Sequence, residues 1–379
     1  MFIIRQARIE DVPTLLKLAK MVHFINLPAD REIIYGKITR SQECFIRAAG
    51  GDAGRFEHPA DKAGSGISEF GKHGEFFMFV LEDTEAGGCL GTSQIVAHMG
   101  GPQNPNFSLK LERREFFSTS LQTGTSHIVA RLYADESGPT EIGGLILQPA
   151  SRGHRLGRFL SLIRLHLIGL HRPVFADRVI AEMMGPITMD GQSMLWEYFG
   201  RRFIPLSYTE ADRHCQISRE FISALLPKED IYLSLLPPEA RDVVGKVGAE
   251  TIPARRMLEK LGFAYTDTID PFDGGPHLEA DTDKIPVVRN THTAQLGPAA
   301  ASQAACTKHG FVSVLNAEGE FRAVETDFAI DARGRVSVPR PLMLDLSWEV
   351  GAAVGVTVLP PDRRKPGSKT GAGKTKAKA

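Results

Sequence analysis

The sequence predicts an α+β fold, and three observations carry that prediction. Apolar runs with strand character recur through the first 147 residues and return between 310 and 359. A loop of arginines and glycines, "RGHRLG" at 152–157, joins one such run to a long apolar helix pattern. A second helix, in "ETIPARRMLEKLGF", carries its own start and stop signals.

Residues 2–8 read as a strand, with Asp11 as the cap of a helix carrying Val12, Leu15, Leu16 and Leu18. "NLPAD" at 26–30 breaks that helix, and another helical pattern runs from about 30 to 48. Residues 49–75 are rich in Gly and Ala without periodicity and read as a mobile insertion. "EFFMFVLED" and "CLGTSQIVAHMG" read as two strands around Ala86-Gly87-Gly88. Further strands lead to Leu145–Leu147, and "RVIAEMM" (178–184) is another. Residues 186–250 read as mostly helical. In the next helix Thr251 is the expected cap, Pro253 lies in the first turn and Gly262 closes the end. Residues 286–309 read as a linker, 310–360 as a small β module and 361–379 as a disordered basic tail.

The 379 residues are 42% hydrophobic, and their 45 basic and 45 acidic groups cancel. No overall field therefore points to nucleic acid or membrane. The N-terminus lacks a signal-peptide pattern, and no apolar run approaches the roughly 18–20 residues that cross a bilayer. Four widely spaced cysteines, without a CxxC, suit a reducing, cytoplasmic setting. Neither HExxH nor a local His cluster supports a metal site. "GAGKT" at 371–375 fails as a phosphate loop, because Ser368 stands where the first glycine is needed.

The loop at 152–157 is different. Glycines let backbone N–H groups approach a ligand, and a helix N-terminus adds partial positive charge. Arg152, Arg155 and Arg158 add donors suited to phosphate oxygens. A basic, solvated turn between core elements accounts for the same residues equally well.

The order strand, "RGHRLG", helix, strand, "ARRMLEKLGF", strand resembles the GNAT acyltransferase superfamily. More narrowly, "NLPAD", "FVLED", "VIAEMMG", "LWEYFGRRF", "FISALLPKEDIY", "DVVGKVGAETIPARRMLEKLGF" and "DPFDGGPHLEAD" resemble the bacterial arginine N-succinyltransferases. The likeness runs in order over residues 1 to about 290. It implies a mixed, mostly antiparallel sheet with flanking helices over 1–285. It also implies succinyl transfer from succinyl-coenzyme A (CoA) to the α-amine of L-arginine, with no permanently bound cofactor, in a homo- or hetero-oligomer. By that resemblance CoA meets Leu145, Ile146, Leu147, Arg152, Gly153, Arg155, Gly157 and Arg158. Arg155 departs from the loop pattern, where a glycine is usual.

The chemistry has needs of its own. An amine with a pKa near 8 must lose a proton before attack. The thioester oxyanion needs a preorganised N–H donor, which the resemblance assigns to the Leu145–Leu147 strand. The departing thiol gains modestly from an acid. Here the sequence leaves its apparent relatives: the family's proton-donor His corresponds to Gly248, and the Tyr common in GNAT enzymes to Leu258. About 10²–10⁴ in rate is at stake. Candidate substitutes are His277, Tyr232, Tyr265 and Glu250, each with an ordinary structural role as the competing reading. His277 leads, because it adjoins "DGGP". Glu182, Asp270 and Asp273 are candidates for the guanidinium, Arg201 or Arg202 for the α-carboxylate, and Asn26 for the acceptor site by superfamily position. Glu182 serves equally well as half of an internal salt bridge, and Asp273 as a turn residue. Two alternatives stay open: transfer of another acyl group or to another amine such as ornithine, and a GNAT-fold subunit without catalysis of its own.

Overall fold

The computed structural model describes residues 1–21, 27–51, 74–102, 104–152, 154–215 and 217–360. Asn26, Gly153, most of the 49–75 insertion and the 361–379 tail lie outside the described residues. Strands β1 (Phe2–Gln6), β2 (Phe76–Asp83), β3 (Cys89–Val96), β4 (Asn106–Ser118), β5 (Thr123–Asp135), β6 (Thr140–Leu147) and β7 (Arg178–Glu182) come first. β8 (Ile231–Tyr232), β9 (Ala264–Ile269), β10 (Pro276–Asp281), β11 (Thr291–Gln295), β12 (Lys308–Leu315), β13 (Phe321–Ile330), β14 (Val336–Ser337) and β15 (Ala353–Val358) follow. The helices are α1 (Val12–Met21), α2 (Arg31–Ala48), α3 (Leu156–Leu170), α4 (Met194–Tyr198), α5 (Tyr208–His214), α6 (Glu220–Leu225), α7 (Pro238–Arg241), α8 (Ile252–Lys260), α9 (Pro286–Arg289) and α10 (Arg340–Asp345).

One sheet runs through the described residues in the order β11-β15-β12-β13-β1-β2-β3-β6-β7-β10-β9-β4-β5-β8, with β14 beside β13. Its pairs are antiparallel except β6–β7, which is parallel and joined through α3. A crossover helix is what a parallel pair requires. Strand alternation divides the side chains between two faces. Phe77, Phe79, Ile95 and Ile142 pack with Phe159, Leu160 and Ile163 of α3. Phe76, Met78 and Val80 pack on the opposite face with Leu15 and Leu18 of α1 and Ile34 and Ile38 of α2. A separate core around Trp196, Tyr208 and Phe272 holds α4, α5 and α6 against β4 and β9. Trp196 and Phe272 stack there with ring centroids 4.7 Å apart.

Some local expectations were wrong for identifiable reasons. Asp11 does not cap α1 with its side chain. Its carboxylate accepts from both terminal nitrogens of buried Arg5, at 2.7 and 2.8 Å, and from the Arg8 amide. A buried guanidinium competes better for that carboxylate than a helix end does. Thr251 has helical dihedrals and makes no side-chain capping bond. Gly262, by contrast, closes α8 at φ +97°, with the Phe263 amide reaching the Leu258 carbonyl at 3.1 Å. Residues 186–250 read as mostly helical; the described residues there hold four short α-helices and β8, with much of the stretch in turns between them.

The largest correction concerns 286–360. The stretch read as a linker contains α9 and β11, and the β module is a continuation of the main sheet, because β13 pairs with β1. Alternation in "THTAQ" was hidden by the Ala- and Pro-rich run after it. These strands grip α3. Phe311 stacks on Phe159 at 5.3 Å. His166, fully buried on α3, meets the Thr357 and Ser313 hydroxyls at 2.6 and 2.7 Å. Arg158 meets Glu325 at 2.7 Å.

Burial holds the His166 imidazole neutral, its pKa pushed down to about 3. The unfolded chain takes up this proton near pH 6.5 and the folded chain does not. Stability contributed here is whole above pH 6.5 and falls as pH drops toward 3, by about 1.4 kcal/mol per unit. Urea midpoints measured from pH 7 to 4.5 should show that slope, and His166→Gln should remove one proton's worth of it.

Candidate active site

Pairing between β6 and β7 is confined to Thr140 with Val179 and Glu141 with Ile180. Beyond that point β6 pairs only with β3, and β7 only with β10. The two strands thus bound a wedge lined by unladdered backbone of Ile142–Leu147 on one side and Ala181–Glu182 on the other. Within the wedge β6 bulges: Gly144 and Leu145 together oppose Ser93. Gly144 has φ +57°, and a Cβ there would lie 2.7 Å from the Gln94 side chain, so only glycine fits. Arg164 of α3, itself buried, donates to the Gly143 carbonyl at 3.0 Å and ties the helix to the bulge.

The N-terminus of α3 stands at the end of β6. Arg155 is the residue before the helix and has φ +63°, a left-handed conformation unusual for a side-chain-bearing residue. No side chain caps this end. Arg152 pairs with Glu250 at 3.0 Å, both exposed. A Cβ on Gly157 would meet only Leu147 Cδ2, at 3.7 Å, so the packing of the chain does not itself demand glycine there.

On the face opposite α3 lies a buried polar cluster. Glu182 pairs in register with His277 of β10. Their side chains point the same way, and His277 Nε2 sits 3.9 Å from Glu182 Oε1. His277 is 2% exposed, and Nε2 has no hydrogen-bond partner among the described residues. Asn106 donates to Glu182 Oε1 at 2.7 Å and accepts from Arg219 at 2.7 Å. Asp270 completes the group, and ligand atoms of Glu182, Asp270 and His277 lie within 4.8 Å of one another. They could share one cation. A cavity of about 20 Å³ opens among Asn106, Glu182, Cys215, Arg219, Asp270 and Phe272.

Burial raises the pKa of Asp270, and the neighbouring Asp273 and Glu182 carboxylates raise it further. Asp273 is raised by burial too, against the Gly275 and Gly185 amides that it accepts at 2.7 and 3.0 Å. Those bonds clamp the "DGG" turn to the end of β7, and Asp273 is spent on them. Asp212 of α5 is pushed up to about 7 by burial and then by Asp270, and its Oδ1 has no partner among the described residues.

The structure gathers Glu182, Asp270 and His277, which the sequence singled out from two segments, "VIAEMMG" and "DPFDGGPHLEAD". It does not gather Tyr232, which lies on edge strand β8, five strands from β7 and about 24 Å along the sheet. There it packs with Phe116 and His127. Tyr265 is in register with Leu278, on the α3 side of the sheet, and burial pushes its hydroxyl up to about 12. Arg201 is exposed and bonded to Glu197, and Arg202 is exposed as well, so neither enters the cluster. Gly248 lies at the wedge: its amide donates to Met184 at 3.0 Å, and a Cβ on it would stand 3.1 Å from the Gly185 carbonyl. Asn106, Arg219, Asp212, Lys37 and Glu141 escaped the sequence reading. Each comes from a segment without a local motif, and only folding brings them together.

An ionised Asp212 costs the folded chain what it does not cost the unfolded one. That cost is absent below about pH 4 and complete above about pH 7. Asp212→Asn should therefore raise the melting temperature, and by more at pH 8 than at pH 5. An equal shift at both would contradict the assignment.

Comparison with known proteins agrees with this geometry. The family model described as "Arginine N-succinyltransferase beta subunit" matches residues 2–287. Arginine N-succinyltransferases from Escherichia coli O17:K52:H18 and Shigella dysenteriae serotype 1 are each 32% identical over 306 residues, covering 80% of this chain and 83% of theirs. Subunit AI of the arginine/ornithine succinyltransferase of Pseudomonas aeruginosa superimposes with a TM-score of 0.74 at 27% identity, covering 95% of this chain and 99% of that one. This chain belongs to the arginine N-succinyltransferase family and shares the fold of that succinyltransferase subunit.

Proposed function

We propose that this chain transfers succinyl from succinyl-CoA to the α-amine of L-arginine, with the thioester held along β6 in the wedge beside β7. The wedge carries the proposal: it offers free backbone donors at a bulge, a helix N-terminus at one end and a cluster of Glu182, Asp270 and His277 on the other face. The pyrophosphate lies at the start of α3, near Arg152, Gly153, Arg155, Gly157 and Arg158. The pantetheine arm pairs with the backbone of Leu145, Ile146 and Leu147. Because the thioester exchanges one acyl acceptor for another, no permanent cofactor is needed. Reduced, mostly buried cysteines suit a cytoplasmic protein, and its family supports assembly of more than one chain.

Glu182 and Asp270 receive the guanidinium, which relieves the repulsion among buried carboxylates. The deprotonated α-amine attacks the thioester carbon, a backbone N–H of β6 meets the oxyanion, and the C–S bond breaks to release CoA thiolate. His277 Nε2 takes the proton that the amine sheds as the N–C bond forms and returns it to the departing thiolate, standing in for the proton donor that Gly248 lacks. Asn26 keeps its place as an acceptor-site candidate, and Asp273 serves through the turn that positions Asp270.

A second reading is favoured by Gly248 alone: a subunit that binds CoA and leaves chemistry to a partner chain. Thiol release with succinyl- and acetyl-CoA against arginine, ornithine and lysine separates the two, since a supporting subunit releases no thiol with any pair. His277→Gln should lower kcat by about 10²–10⁴ if it carries the proton. A rate unchanged by His277→Gln and raised by Gly248→His would move the missing acid back to position 248. Gly157→Ala should leave the melting temperature equal or higher, as expected in a helix. The same change should raise KM for succinyl-CoA more than tenfold, because the added methyl faces the pyrophosphate.

A further inference from the structure

The acidic cluster is only one end of a longer polar track. Phe76, Val96, Glu141, Ile180 and Glu279 stand in one register row across β2, β3, β6, β7 and β10. The wedge opens immediately beyond this row. Over the Phe76 ring lie two cations of α2, Lys37 with Nζ 5.5 Å from the centroid and Arg40 with Cζ 6.0 Å from it. The lysine and arginine therefore attend the same aromatic ring. Arg219 approaches from the segment before α6. It borders the acid-lined cavity and also a second cavity of about 20 Å³, lined by Val96, His98, Met99, Gly100 and Asn104. Val96 belongs to the row just described, so the second cavity adjoins the ring that carries the two cations.

We propose that Lys37, Arg40 and Arg219 form a receptor for a substrate carboxylate, at the basic end of a site whose acidic end is Glu182 and Asp270. This inference rests on the acyl-transfer reading and adds to it the missing anion partner. Both substrates of that reaction carry such a group: the distal carboxylate of the succinyl chain and the α-carboxylate of arginine. Like charges do not gather on one half-buried surface without a cost, and an incoming carboxylate offsets it. Burial holds the Lys37 pKa down at about 8, with Arg40 and Arg219 pressing the same way and Glu141 opposing. Lys37 thus senses each of the other three groups. Arg40 also donates to the Gly74 carbonyl, which fixes its head over the ring. Arg219 is the hinge of the arrangement, because through Asn106 it is linked to Glu182. A substrate charged at both ends would be aligned by the track.

Calorimetry on the full chain tests this with two pairs of ligands: succinyl-CoA against acetyl-CoA, and arginine against agmatine, its decarboxylated counterpart. In the wild type, the carboxylate-bearing member of at least one pair should bind more tightly. Lys37→Met keeps the apolar stem and removes the charge. It should weaken that member by about 10- to 100-fold, the loss of one charged hydrogen bond. The other member of the same pair should change less than about threefold, and Lys37→Arg should recover part of the loss. The pair that responds identifies which carboxylate is held. Equal affinities within both wild-type pairs would overturn the proposal, as would unchanged ratios in Lys37→Met and Arg40→Met. Should Lys37→Met not fold, the wild-type ratios and Arg40→Met decide the matter. Absence of thiol release with every pair would instead sink the transferase reading, because the binding ratios are read without turnover.

Discussion

Two residue pairs hold β6 to β7, and the site depends on the pairing stopping there. A complete ladder would satisfy the backbone of Ile142–Leu147 internally and leave nothing for a ligand to pair with. The divergence is enforced from both sides. On β6, Gly144 at positive φ creates a bulge that Gln94 fills from below, and Arg164 holds the Gly143 carbonyl from α3. On β7, the "DGG" turn is clamped through Asp273 to Gly185, immediately after Met183 and Met184. Each strand is thereby committed to its own outer neighbour, β3 or β10.

That arrangement needs α3 to be immobile, and the C-terminal strands supply the restraint. Arg158 on Glu325 and Phe311 against Phe159 fasten the first turn of the helix, and His166 between two hydroxyls fastens it again two turns later. The last of these also bears on the loop, since Arg158 was counted among cations for phosphate. With Glu325 as its partner, it serves first to orient the helix whose N-terminus is the proposed anion site.

The opposite face has a different logic. Buried carboxylates with raised pKa values lie beside a buried imidazole nitrogen without a partner among the described residues, a combination that stability alone disfavours. Such strain is expected where a charged ligand completes the balance. Arg219 and Asn106 satisfy part of it without closing the cavity.

Sequence alone established the α+β class, the strand–loop–helix unit at 141–170, the closing glycine of α8 and the family resemblance. These are local or colinear: they depend on periodicity, on turn chemistry and on the order of short motifs. It also singled out Glu182, Asp270 and His277, though not their convergence. Tertiary structure alone decided which candidates meet. Tyr232 and Tyr265 left the cluster because strand order and pleat placed them at a far edge and on the other face. Asn106 and Arg219 entered through side-chain hydrogen bonds between segments distant in sequence, Glu141 through register across strands, and Lys37 by packing of α2 over Phe76. The C-terminal strands joined the main sheet through β1, a pairing of residues more than 300 apart that no local window contains. The physical reason is one of range: a residue's intrinsic preference acts over a few neighbours, whereas charge and burial are settled by whatever the folded chain brings alongside.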